Sequence, residues 1–161
     1  MTETEQEIKG YLLASPFFRE MPDEYLDLIS ECGHLVSFKA GDFLIREGED
    51  ANTFFLVRDG DVAIESNVLG GVLTVSKAGA DAIVGFSWLF PPYRAAFDSR
   101  AVTDVNAVQL NGYCLRGKVE ADHEFGFLFM KRFAEIAIRR LQSTRRQMLD
   151  IYGGPQDGKV A

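Results

Sequence analysis

Between residues 35 and 110 the apolar residues recur with a period of two, in short runs cut by glycine and aspartate. Leu35–Phe38, Phe43–Arg46, Thr53–Val57 and Val62–Glu65 are separated by Ala40-Gly41-Asp42, Glu47-Gly48-Glu49-Asp50 and Arg58-Asp59-Gly60-Asp61. A second group, Val72–Ser76, Ala82–Val84, Ser99–Val105 and Ala107–Leu110, continues the pattern, with Gly70-Gly71 marking a hairpin. Strands this short and this evenly punctuated cannot carry long parallel crossovers, so they predict an antiparallel sandwich or barrel.

Helical periodicity flanks the strands. Residues 3–14 predict a short amphipathic helix with Ile8, Tyr11 and Leu12 on one side, ended by Ser15-Pro16, and Phe17-Phe18 is read as a plug onto the core. Pro22 suits the first turn of a second helix, whose Tyr25, Leu28, Ile29 and Cys32 are spaced for one buried face. From about Glu124 to Ile151 two apolar stripes share one helix. Phe129, Phe133 and Ile136 suit packing on the chain's own barrel. Phe127, Met130, Ala134, Ala137, Leu141, Thr144, Met148 and Ile151 form a separate a/d seam of about four heptads. A second continuous seam calls for a second partner, most simply the same helix of another copy, so a parallel homodimer is expected. Arg132, Arg139 and Arg146, seven residues apart, are read as a solvated outer face.

Composition narrows the function classes. A net charge of −7 argues against a general nucleic-acid binder, which needs a basic footprint. The acidic start, Met-Thr-Glu-Thr-Glu-Gln-Glu, is unlike a signal peptide, and no apolar run approaches a membrane span. A cytoplasmic location is expected. Cys32 and Cys114 match no metal spacing and are read as buried free thiols, so no metal is expected. No Ser-His-Asp spacing or His-rich motif points to an enzyme.

One stretch interrupts the strands. Ile83-Val-Gly-Phe-Ser-Trp-Leu-Phe-Pro-Pro-Tyr-Arg94 holds the only Trp, a Pro pair, a Gly, a Ser and an Arg within twelve residues. It reads as a compact apolar excursion of the kind that builds a pocket inside a β-domain.

The ordered set of turns resembles the cyclic-nucleotide-binding domain, above all the sensor half of the bacterial catabolite-activator and fumarate-nitrate regulator family. The residues carrying this likeness are Phe38-Lys-Ala-Gly-Asp-Phe-Leu-Ile-Arg-Glu-Gly-Glu-Asp50, Phe55-Leu-Val-Arg-Asp-Gly-Asp-Val62, Arg100-Ala-Val-Thr-Asp104 and Arg139-Arg-Leu-Gln-Ser-Thr144. The resemblance implies a mainly β double-stranded β-helix, or jelly roll, with flanking helices. Helices would occupy 1–34 and the roll 35–122, with a phosphate-binding cassette at 83–100. A dimerisation helix would follow at 123–152 and a disordered tail at 153–161. It also implies a ligand site of Gly85, Phe86, Ser87, Trp88, Arg94, Arg100 and Thr144, in which backbone amides and an arginine hold a cyclic phosphate.

The chain departs from the family pattern at two places. Phe86 follows the cassette Gly85 where the family has a Glu that accepts the ribose 2′-hydroxyl, and Ser87 is positioned to replace part of that bond. The family arginine position falls on Ala95, one residue after Arg94, with Arg100 as a substitute. Thr144 aligns with the dimer-helix threonine that meets the purine. About ten residues follow Ile151, too few for a helix-turn-helix domain, so a stand-alone, non-enzymatic sensor without DNA binding is expected. Cyclic AMP, or cyclic GMP, is the expected ligand, with an unidentified protein downstream. The alternative is a non-binding dimeric scaffold whose own aromatic side chains fill the pocket.

Overall fold

The computed structural model describes residues 1–153. Helices α1 (Glu3–Ala14) and α2 (Asp23–Glu31) precede eight strands: β1 (Gly33–Phe38), β2 (Phe43–Ile45), β3 (Thr53–Asp59), β4 (Val62–Val68), β5 (Gly71–Ala78), β6 (Ile83–Val84), β7 (Asp98–Ala101) and β8 (Val105–Asn111). A single 3-10 turn, Ser87–Leu89, lies between β6 and β7, and helices α3 (Gly112–Ala121) and α4 (His123–Gly153) close the described chain. The strands form two four-stranded antiparallel sheets, ordered β1-β8-β3-β6 and β2-β7-β4-β5. This is the mainly β roll with flanking helices that the turn pattern predicts.

Alternation along β3 explains why Phe54-Phe-Leu-Val57 is apolar at every position. Phe55 and Val57 face the space between the sheets, where they meet Val62, Ile64, Val84, Val105 and Ala107. Phe54 and Leu56 face the other way, into a second core built with the helices. A strand buried on both faces reads as a continuous apolar run.

The second core is aromatic. Phe129 of α4 is fully buried and lies within 6.5 Å, centroid to centroid, of the rings of Phe17, Phe18, Phe54, Trp88, Phe125 and Phe133. The stripe Phe129, Phe133 and Ile136 therefore docks α4 on the chain's own roll, and Phe17-Phe18 plugs the same core. The other seam stays outside: Phe127, Leu141, Met148 and Ile151 are exposed in the single chain, as are Ala134, Ala137 and Thr144, while Met130 is half-buried.

Four expectations need correction. Cys32 and Cys114 are a disulfide, not free thiols: β8 returns beside the end of α2, where the Asn111 amide donates to the Cys32 carbonyl, and the two Cα atoms lie 6.0 Å apart. Residues 112–121 form α3, because the Asn111 side chain caps the Cys114 amide. The strand expected over Ser99–Val105 breaks after Ala101, where Thr103 Oγ1 accepts from the Asp61 amide and Asp104 Oδ1 from the Ala40 amide. Arg132 is not on a solvated outer face but is ion-paired to Glu20 at 2.7 Å. The tail expected to be disordered lies outside the described residues, apart from Gly153 at the end of α4.

Removing the central ring should be costly. Phe129→Ala is expected to lower unfolding free energy by about 3–5 kcal/mol, measured by urea denaturation, because no neighbouring ring can fill its volume without leaving another gap.

Candidate functional site

Where β6 ends, Gly85 takes φ +107, and a Cβ there would lie 3.1 Å from Ile45 Cδ1 and 3.3 Å from Phe54 Cβ. Both the left-handed backbone and the close approach demand glycine. The turn turns Phe86 and Ser87 toward α4 and drives Trp88 down into the aromatic core, where it stacks on Phe54 at 4.7 Å and 8°. Trp88 is completely buried. It is a floor beneath the cassette and not part of a ligand wall, which corrects its expected place among the binding residues.

The exit of the excursion is stitched to the turn after β2. The Gly48 amide donates to the Ala95 carbonyl, Ala95 to Glu49, and Ala51 to Tyr93, at 2.8–2.9 Å. Neighbouring side chains of such an extended segment alternate. Ala95 is buried and faces inward, whereas Arg94 is turned outward, more than half exposed, and bonded to Asp50 at 3.2 Å and to the Gly48 carbonyl. Ala95, not Arg94, thus holds the inward position that the resemblance assigns to the phosphate arginine. Arg100 is also committed elsewhere: its Nε and Nη2 each lie 3.0 Å from the carboxylate of Glu65, a buried side chain on β4. The hydrogen bonds that Arg100 donates to Glu65 raise its pKa further, with the carboxylate charge adding to the effect.

A cleft of about 1310 Å³ opens between this cassette and α4. Gly85, Phe86 and Ser87 line one wall, Arg140, Ser143 and Thr144 the other, with Ile45, Ile64, Ala95 and Phe97 among the residues between them. The cassette's aromatic rings leave this volume open. Of the expected site residues, the structure thus gathers Gly85, Phe86, Ser87 and Thr144, and sets Trp88, Arg94 and Arg100 outside the cleft walls. Arg140 was missed. In sequence it is one of a run of helix arginines, and only the docking of α4 distinguishes it. Its guanidinium lies 4.5 Å over the Phe86 ring and donates to the Ile83 carbonyl, and burial lowers its pKa. Among the described residues no group of three or more His, Cys, Asp or Glu side chains is arranged to hold a metal, and no helix is long and apolar enough to cross a membrane.

Residues 35–122, more than half the chain, match the model of the cyclic nucleotide-binding domain. The chain belongs to the cyclic nucleotide-binding domain family. Among solved structures it is similar to a putative cyclic nucleotide-binding protein from Geobacter metallireducens GS-15, 28% identical, with a TM-score of 0.74 over 88% of this chain and 99% of that one. It shares its fold with the N-terminal domain of a transcriptional regulator from Streptomyces coelicolor A3(2), 23% identical, with a TM-score of 0.65 over 92% of this chain and 99% of that one. Among curated proteins it is similar to cGMP-dependent protein kinase 2 of Mus musculus, 29% identical over 66 residues. That match covers 41% of this chain and 9% of the kinase.

The two displaced arginines should behave differently on removal. Arg100→Ala strands the buried Glu65 carboxylate and is expected to lower the urea midpoint clearly. Arg94→Ala, which breaks an exposed pair, should leave the midpoint nearly unchanged in the same experiment.

Proposed function

We propose that this chain is a regulatory module that binds a cyclic nucleotide, or a related small phosphorylated ligand, in the cleft between the cassette and α4. Cyclic AMP is the first candidate and cyclic GMP the second. The observation that carries the reading is the cleft itself: in a member of this family, an open volume is walled on one side by the cassette and on the other by the long helix. A ligand that spans the cleft would contact both walls, which Ser87 and Thr144 line. It therefore stabilises one placement of α4 against the roll over others, and that differential contact is what a conformational switch requires.

In this reading α4 is also the output. Its exposed seam, with Phe127, Leu141 and Met148 each more than half exposed, is the surface by which two copies associate in parallel. Thr144 belongs both to that seam and to the cleft wall. Ligand binding and helix pairing would then compete for, or share, one stretch of helix, and a downstream protein would read the resulting dimer.

Isothermal titration with cyclic AMP and cyclic GMP tests the binding. Saturable heat with one site per chain is expected, along with thermal stabilisation worth about 2.7 kcal/mol at a hundredfold excess over Kd. No heat and no thermal shift with either compound, nor with a wider panel of nucleotides, would overturn the reading.

The association is tested by sedimentation. The chain should run as a dimer at micromolar concentration, and Leu141→Glu, which touches no core, should convert it to a folded monomer. A wild-type monomer across that range removes the dimer from the mechanism.

A further inference from the structure

The cations of the cleft wall differ in what holds them. Arg132 is half-buried but already paired with Glu20 at 2.7 Å and Glu135 at 3.7 Å. Arg19, Arg46, Lys77 and Arg139 are exposed to solvent. Arg140 alone among the described cations of this wall is half-buried and has no carboxylate within 4.0 Å. A guanidinium has five N–H donors in a planar fork. The Ile83 carbonyl takes one from Arg140, while the face of the fork rests on Phe86. A charge partly withdrawn from water without a counter-charge favours an anion, and one that brings a bidentate oxygen pair suits the free edge of the fork.

The position suits such a ligand. Arg140 and Thr144 are four residues apart and share one face of α4, and Ser87 lies on the opposite wall of the same cleft. The two arginines nearest the cassette in sequence are already occupied, Arg94 by Asp50 and Arg100 by Glu65.

We propose that Arg140 binds the anionic group of the cleft's ligand, so that the ligand's negative charge is read from the long helix and not from the loop. The inference rests on the cleft being the binding site described above, and it adds a consequence. Because the same guanidinium holds the Ile83 carbonyl and lies on Phe86, an anion bound to Arg140 ties α4 to the end of β6. The ligand class is a phosphate monoester or diester carrying an apolar or aromatic body, since alanine, isoleucine and phenylalanine side chains make up much of the remaining wall.

The test uses the full chain. Arg140→Gln is expected to weaken cyclic nucleotide binding about tenfold or more, the loss of a charge-assisted hydrogen bond. Arg94→Gln should stay within about twofold, as befits an exposed pair on the far side. A loss on Arg94→Gln with Arg140→Gln unaffected overturns the proposal. A second measurement does not depend on any variant folding: the Arg140 Nε–H resonance of the ¹⁵N-labelled wild-type chain, followed by NMR during addition of cyclic AMP and, separately, inorganic phosphate. A saturable shift of that resonance with bound cyclic nucleotide, or with phosphate where no nucleotide binds, supports the proposal. If neither cyclic nucleotide binds but phosphate moves it, the cyclic-nucleotide reading falls and the anion site stands. An Arg140 resonance unmoved by bound cyclic nucleotide, or by phosphate where no nucleotide binds, overturns it.

Discussion

Phe129 and Phe133 insert α4 into a cluster of rings that also contains Phe54 from the sheet and Trp88 from the cassette. Everything else about the cleft depends on that contact. Trp88 anchors the underside of the cassette and the two phenylalanines anchor the start of the helix, so both walls rest on one close-packed core. Packing of this density transmits displacement because it has no slack to absorb it. A shift of α4 must therefore move against the same rings that support Gly85–Ser87. The far half of the helix is different. From Leu141 to Tyr152 every residue is exposed, so among the described residues none of this half is buried.

Charge is arranged with the same division between structure and site. The Arg100–Glu65 pair joins β7 to β4 and satisfies a buried carboxylate inside the roll. Arg94 and Asp50 form a bridge on the outside, where the cassette exit meets the turn after β2. Both arginines are thus engaged within the roll and its turns, Arg100 with a buried carboxylate and Arg94 with an exposed one. Arg140 reaches the cleft from the opposite side, on the long helix α4. A chain whose charge-bearing residue sits on the helix couples ligand and helix more directly than one in which the charge sits on the loop.

The legible parts of the chain were those written by local chemistry. Glycine and aspartate at the hairpins, and apolar residues at period two between them, placed seven strands closely, because turn backbone and strand alternation are properties of a few adjacent residues. The split of α4 into an inward stripe and an outward seam followed from helical spacing alone. The strand expected over Ser99–Val105, β7, ran too long, since the side chains of Thr103 and Asp104 cap distant amides of Asp61 and Ala40 that no local window contains. Helix α3 was hidden for a related reason: its two glycines weaken the helical pattern, and its cap, Asn111, looked like the end of a strand.

The cassette shows most clearly where local reading stops. Its glycine and its family likeness were visible in residue type and spacing, and the resemblance implied its neighbourhood with Thr144. Whether Trp88 points to solvent or to core, whether Arg94 or Ala95 faces inward, and whether Cys32 meets Cys114 are all decided by which segments lie against one another. A one-residue change of facing reverses the role of an arginine in an extended segment, and nothing in the residue itself records it. Arg140 belongs to the same class: it is one arginine among several on a helix until the aromatic core sets the rotation of that helix and lays this one across the cleft.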